Sequence, residues 1–221
     1  MKLINTILSL FLVAAIVTAG SIGSAQAQTK EERKEALKLA NKRSIKIARK
    51  EAKQYEKKGF SAILGDPPIH KQLEDSYALH YVTNDRGQKK YFLTTQEAMA
   101  ENYAAAKQQV YQLCLADFAN QIGSEIVGKI KSNVANSEGL EDAVSVTEVI
   151  GAYQNRVAAR LGRTEPVVVL KKKEGKYTYM VMTMKYDVAS AEEMVRNDLR
   201  QELRDKANLQ QEEIDGLLDL K

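Results

Sequence analysis

Tryptophan is absent from this 221-residue sequence, cysteine occurs once, histidine twice and proline three times. Each shortage excludes something. The lone Cys114 cannot close an internal disulfide, so the fold must hold by packing alone. His70 and His80 are too few and too far from other soft ligands to suggest a metal site, so neither metal nor cofactor is expected. Either imidazole could serve a serine as base, but no G-x-S-x-G elbow exists to place the nucleophile. Past the first two dozen residues no apolar run is long enough to cross a bilayer. The net charge of +4 is modest and by itself names no partner.

The N-terminus is different. Lys2 precedes an apolar stretch from Ile7 to Val17, and small residues then lead to Ala25-Gln26-Ala27, with Gln28 following. This is the pattern of a cleavable secretory leader, cut after Ala27. The apolar run is shorter than the ~20 residues a spanning helix needs. No cysteine stands at the cut, so no lipid anchor is expected. The mature chain, about 194 residues by this reading, would work in the periplasm or outside the cell, without a transmembrane segment.

Five regions follow: the leader 1–27, a basic helix 28–59, a linker with a short helix 60–94, a helix–helix–hairpin core 95–188, and an acidic C-terminal helix 189–221. The basic helix opens on Glu31, Glu32 and Glu35, which suit the positive end of its dipole, and Gly59 closes it. Between Lys30 and Lys58 it holds twelve Lys and Arg against five Glu around a narrow stripe of small apolar residues. Pro67-Pro68 ends the loop after it, Asn84-Asp85-Arg86-Gly87 signals a turn, and Lys89 to Leu93 is expected as a short extended piece. With Thr95 as cap, the spacing of Met99, Tyr103, Ala106, Val110, Cys114, Phe118, Ile122, Ile126 and Ile130 predicts one long amphipathic helix to about residue 137. A second helix is expected over 140–161. The period then changes. Val167 to Leu170 and Tyr177 to Met184 read as two strands around Glu174-Gly175. In the second strand Tyr177, Tyr179, Val181 and Thr183 share one face, and Thr178, Met180, Met182 and Met184 share the other. One face is expected to pack on helices and the other to meet a partner. Ser190 with Glu193 forms a capping box for the last helix.

Chemistry is sparse. Gly123 to Ile130 nearly matches a phosphate loop, but Ile130 stands where a hydroxyl is required and the segment lies inside a predicted helix. Carboxylates alternate with Lys and Arg on helix faces, the usual pattern of a solvated surface. The basic helix has only Tyr55 as an aromatic neighbour, too little for nucleic acid, and export argues against that partner too. An anionic envelope surface, lipid headgroups or another protein fit better. Its candidate contact residues are Lys42, Arg43, Lys46, Arg49, Lys50 and Lys53, together with the hairpin face Thr178, Met180, Met182 and Met184.

An alanine-spaced helix (Ala98, Ala104 to Ala106, Ala116, Ala119) before a hairpin with Glu174-Gly175, Tyr177 and Tyr179-Met180-Val181 resembles the Lpp-twenty-like envelope domain, also found at the N-terminus of the flagellar T-ring protein. The resemblance covers about residues 95–188. It implies a non-enzymatic α+β domain of the cell envelope used in assembly or binding, and it supplies no catalytic residue. The expected fold is therefore α+β: long amphipathic helices on a small antiparallel hairpin sheet, with charged helices at both ends. The expected function is an exported binding or assembly module that docks on an envelope partner or on itself. A hydrolase of envelope material, and a binder of anionic polymers or lipids through the basic helix, are the alternatives.

Overall fold

The structure, a computed structural model, describes residues 30–137, 143–207 and 209–219, with side chains from residue 42 onward. Ala25, Ala27 and Gln28 lie outside the described residues. The described residues from Leu37 onward form one compact unit.

Helix α1 (Lys30–Lys57) ends as its sequence requires. Gly59 takes φ +84°, the Gly59 N–H donates to the Glu56 carbonyl and the Phe60 N–H to the Tyr55 carbonyl. Tyr55 and Phe60 then meet edge to face at 5.4 Å, so the stop also builds an apolar contact. A two-residue strand β1 (Ser61–Ala62) and helix α2 (Ile69–Leu79) follow, with Pro68 at the N-cap of α2. In the turn after α2, Asn84 Oδ1 accepts from the Arg86 and Gln88 N–H groups.

The chain next departs from expectation. The short extended piece expected at Lys89 to Leu93 is the start of a ten-residue strand β2 (Tyr91–Ala100), which takes in the residues expected as the cap and first turns of a helix. Thr95 is no cap. Its hydroxyl meets that of Thr183 across the ladder at 2.8 Å, and the true cap is Asn102, whose side chain accepts from the Ala105 N–H at 2.9 Å. Asn is the stronger N-cap residue, and pairing along ten positions overrides the helix propensity of Gln96-Glu97-Ala98-Met99. The long helix is also divided: α3 (Tyr103–Ile122), a π-helical turn Gly123–Val127, and α4 (Gly128–Asn136). The second helix divides into α5 (Ala143–Gln154) and α6 (Val157–Arg160).

Strands β3 (Glu165–Glu174) and β4 (Tyr177–Asp187) form the predicted hairpin, closed by Gly175 and Lys176 with Gly175 at φ +58°. The sheet is larger than a hairpin. Its antiparallel order is β1-β3-β4-β2, so residues 60–94, expected as a linker with a short helix, supply one strand and begin another. The C-terminal region is two helices, α7 (Val188–Ala207) and α8 (Gln211–Leu217). Asp187, not Ser190, caps α7, accepting from the Ser190 N–H at 2.9 Å.

The two sheet faces serve two cores. Alternation turns Val168, Leu170 and Val181 to Ala48, Ala52, Ile69 and Leu73 of α1 and α2. The opposite face sends Phe92, Met180, Met182, Met184 and Tyr186 into the larger core with α3 to α8. The α+β class follows directly.

Candidate functional site

Of the ten candidate contact residues, four are buried. Thr178, Met180, Met182 and Met184 face α3, and the Cys114 thiol sits 3.8 Å from the Met182 carbonyl. The hairpin face expected to meet a partner therefore meets the chain's own helices, which a two-strand reading could not show.

The other six stand on α1. Its buried positions are Ser44, Ala48 and Ala52, spaced by four and all small, so the helix lies close upon its neighbours and buries only a narrow stripe. The opposite side is mostly cationic. Lys42, Arg43, Lys46, Arg49, Lys50 and Lys53 are exposed. Lys42, Ile45, Lys46, Arg49, Lys50 and Lys53 line one shallow trough of about 500 Å³. Beside them Ile47 is 52% exposed.

The acids nearby leave most of this ridge unneutralised. Glu51 accepts from the Tyr77 hydroxyl at 2.7 Å, which ties α1 to α2. Burial, with Glu51 adding to it, raises the Tyr77 phenol well above its ordinary range. Glu74 of α2 reaches Arg49 at 2.8 Å, and the Arg49 hydrogen bond holds that carboxyl below the usual range. Arg49 is thus half structural. Among the described residues, Lys42, Arg43, Lys46, Lys50 and Lys53 have no carboxylate within ion-pair distance. Lys42, Lys46 and Lys50 also follow one another at i,i+4, where like charges cost a helix roughly 0.2–0.5 kcal/mol per pair.

The acidic C-terminal helices do not answer α1. Their carboxylates pair within their own layer: Glu202 with Arg156 and Lys206, Asp198 with Arg160, and Asp215 with Arg200.

No protein-family model, curated protein or solved structure matches the chain. The envelope-domain resemblance thus rests on residue pattern alone. One element of that pattern lies elsewhere than expected, since Ala98 belongs to β2 and not to the alanine-spaced helix.

The remaining chemical candidates are placed as follows. His70 lies in the first turn of α2 and His80 just past its end; burial holds the His80 imidazole below its ordinary pKa. Among the described residues no three His, Cys, Asp or Glu side chains come together as metal ligands would. Gly123 to Lys129 lies within the π-helical turn and the start of α4, where backbone amides serve the helix. Burial pushes the Cys114 thiol up to about 12, which keeps it protonated and unreactive at neutral pH. No helix among the described residues is long and apolar enough to cross a membrane. Sequence reasoning missed one feature: a cleft lined by Tyr103, Glu101 and the lysines at 171, 172, 173 and 176. The run Lys171-Lys172-Lys173 beside a glycine turn was its only signal.

Proposed function

We propose that the chain is exported by its N-terminal leader and acts in the cell envelope as a binding module, not as an enzyme, docking on an anionic lipid surface through the outward face of α1. One observation carries the reading. Six cations from Lys42 to Lys53 line a helix on which Glu51 is committed to Tyr77 of α2, Glu74 answers Arg49 alone, and Glu56 is within ion-pair distance of none of them among the described residues, so five are left unpaired. Such a row repels itself, and an anionic surface removes that cost. A Lys or Arg near an anionic membrane surface contributes about 1 kcal/mol. Five of them give ~5 kcal/mol at low ionic strength, a partition of a thousandfold or more. Exposed Ile47 adds an apolar contact at the same face.

The test is co-sedimentation of the full mature chain with vesicles, with and without an anionic lipid. The chain should bind the anionic vesicles only, and binding should weaken steeply with added salt. Lys42→Gln/Lys46→Gln/Lys50→Gln removes ~3 kcal/mol and should weaken binding roughly a hundredfold. A triple variant that sediments like the native chain would end this reading.

A further inference from the structure

The sheet has two edges, and the fold treats them differently. Beyond β3, strand β1 pairs with Leu170 and Lys171, and the buried Gln72 side chain accepts from the Val169 N–H at 2.7 Å. Beyond β2 no strand follows. The Val188 N–H donates to the Lys90 carbonyl, so the even-numbered residues of β2 turn their backbone groups to β4 and the odd-numbered ones turn theirs outward. Gln121 of α3 reaches the outward Leu93 carbonyl at 3.1 Å. Past it the cover stops. Among the described residues, nothing hydrogen-bonds to the outward N–H and C=O groups of Thr95, Glu97 and Met99. Without a proline or a bulge to blunt it, such a row is a template for another strand.

Apolar groups flank the row on both sides. Met99, 45% exposed, stands on the sheet face towards α1. Leu113, 40% exposed, stands on the α3 side. Its place follows from the helix. Tyr111, on one flank of the buried row of α3, reaches Thr164 before β3. Leu113, Asp117 and Gln121, at steps of four, form the other flank, and Gln121 puts that flank along the free edge. Helix α3 runs back along β2, and the ~12 Å from Gln121 to Leu113 matches between three and four strand residues, so Leu113 lies beside Gln96 and Glu97.

We propose that β2 is a dimerisation strand, which pairs antiparallel with β2 of a second copy about a two-fold axis at Gln96. Side chains select this register. Centred on Glu97, the pair would set two carboxylates directly opposite each other, and centred on Thr95 it would set Leu93 against Glu97 of the second copy. Centred on Gln96, it sets Leu93 against Met99 and Thr95 against Glu97, each twice. Charge selects it too. Glu101 then faces Tyr91 of the second copy, whose ring carries the Lys90 ammonium at 5.5 Å. Lys90 has no carboxylate within ion-pair distance among the described residues. The pair of Glu101 with Lys176 at 2.9 Å is well exposed on both sides and easily exchanged. A two-fold contact of this kind closes on itself and leaves neither β2 edge open. The seam is one strand wide, so the dimer is weak, with a Kd of about micromolar or above. Because the axis stands perpendicular to the sheet, both α1 helices lie on one side of the joined sheet. That two basic ridges then address one anionic surface rests on the docking proposed above, whereas the dimer does not.

Sedimentation velocity of the full mature chain over a concentration series, without vesicles, tests the pairing. A reversible monomer–dimer equilibrium is expected. Glu97→Pro removes an outward N–H and leaves the ladder to β4 intact, so it should weaken the dimer at least tenfold. Leu113→Glu, at an exposed helix position, should do the same and carries the test should the proline variant fold poorly. Lys90→Glu should weaken the dimer several-fold, and Lys90→Glu/Glu101→Lys should restore it. Gln96→Cys should crosslink to its own copy on mild oxidation, because a directly opposed pair of this type has its Cα atoms ~4.5 Å apart. Glu97→Cys, out of register with itself, should not. A strict monomer at every concentration overturns the proposal. So does a dimer unchanged by Glu97→Pro and Leu113→Glu, one lost only in the α1 triple variant, or one in which Glu97→Cys crosslinks and Gln96→Cys does not. A dimer that behaves as expected while the chain ignores anionic vesicles would remove the docking reading and leave this one standing.

Discussion

Truncating Met184 distinguishes a buried hairpin face from an open one. Met184 is 0% exposed, lies between Thr94 of β2 and Pro166 of β3, and points into the larger core. Met184→Ala removes three heavy atoms and leaves a cavity that the surrounding helices fill only in part. Such truncations cost about 2–5 kcal/mol. In a domain of this size each kcal/mol lowers the melting temperature by roughly 2–4 °C, so a ~3 kcal/mol loss gives a drop of ~6–12 °C. Met99 supplies the control. It is 45% exposed on the opposite face of β2, and Met99→Ala should change stability by no more than ~0.5 kcal/mol. Thermal melts followed by circular dichroism, with urea titrations to check that the slope is unchanged, give both numbers. Equal shifts for the two variants, or a Met184→Ala melt within ~2 °C of the native chain, would refute the placement of the methionine face in the core and restore it as a contact surface.

Three other outcomes follow from the structure. Gly175 takes φ +58° in the hairpin turn and a Cβ there meets nothing within 4 Å, so Gly175→Ala should cost ~1–2 kcal/mol through backbone strain alone, and Gly175→Asn less, by urea titration. Burial works against the ionised Glu202, but hydrogen bonds from Arg156 at 2.7 Å and Lys206 at 3.2 Å outweigh it and hold the carboxyl below its usual range. Its contribution is therefore present above the unfolded carboxylate pKa of about 4.3 and is lost as pH falls through the lower folded value. Glu202→Gln should be less stable than the native chain at neutral pH and should converge with it in acid. A gap that persists in acid would mean that the loss is one of packing. Cys114, buried with its thiol pushed up to about 12, should react with a disulfide reagent only as fast as the core opens, in step with amide exchange of α3; rapid labelling of the native chain would contradict that burial.

What the sequence disclosed and what it hid have separable physical causes. Helix α1, the Gly59 stop, the Asn84 turn and the β3–β4 hairpin were legible because each is set by neighbours in the chain: a dipole, a left-handed glycine, a side-chain acceptor, an alternation. The start of strand β2 was legible as a short extended piece, but its continuation through Gln96-Glu97-Ala98-Met99 was hidden because those residues suit a helix, and only pairing with the distant β4 makes them extended. Phe92, Thr94, Ala98 and Ala100 do alternate inward, a weak period-two trace that the stronger helical spacing beyond Tyr103 obscures. The same omission misassigned the methionine face. A lone hairpin has two faces and one set of helices to cover them, whereas the four-stranded sheet has α1 and α2 on one side and α3 to α8 on the other. The basic residues of α1 were legible as a composition. That Glu51 turns to Tyr77 and that Glu74 answers Arg49 alone was not, because both pairings cross between α1 and α2.

Lysine footprinting on vesicles most directly tests the claim that the α1 ridge is the membrane-docking face. The full mature chain would be acetylated briefly with and without anionic vesicles, and the modified residues located by mass spectrometry. The account predicts protection of Lys42, Lys46, Lys50 and Lys53, with Lys89 and Lys185, which already pair with Glu125 and Glu165, unchanged. Protection at Lys89 or Lys185 with none along α1 would contradict it.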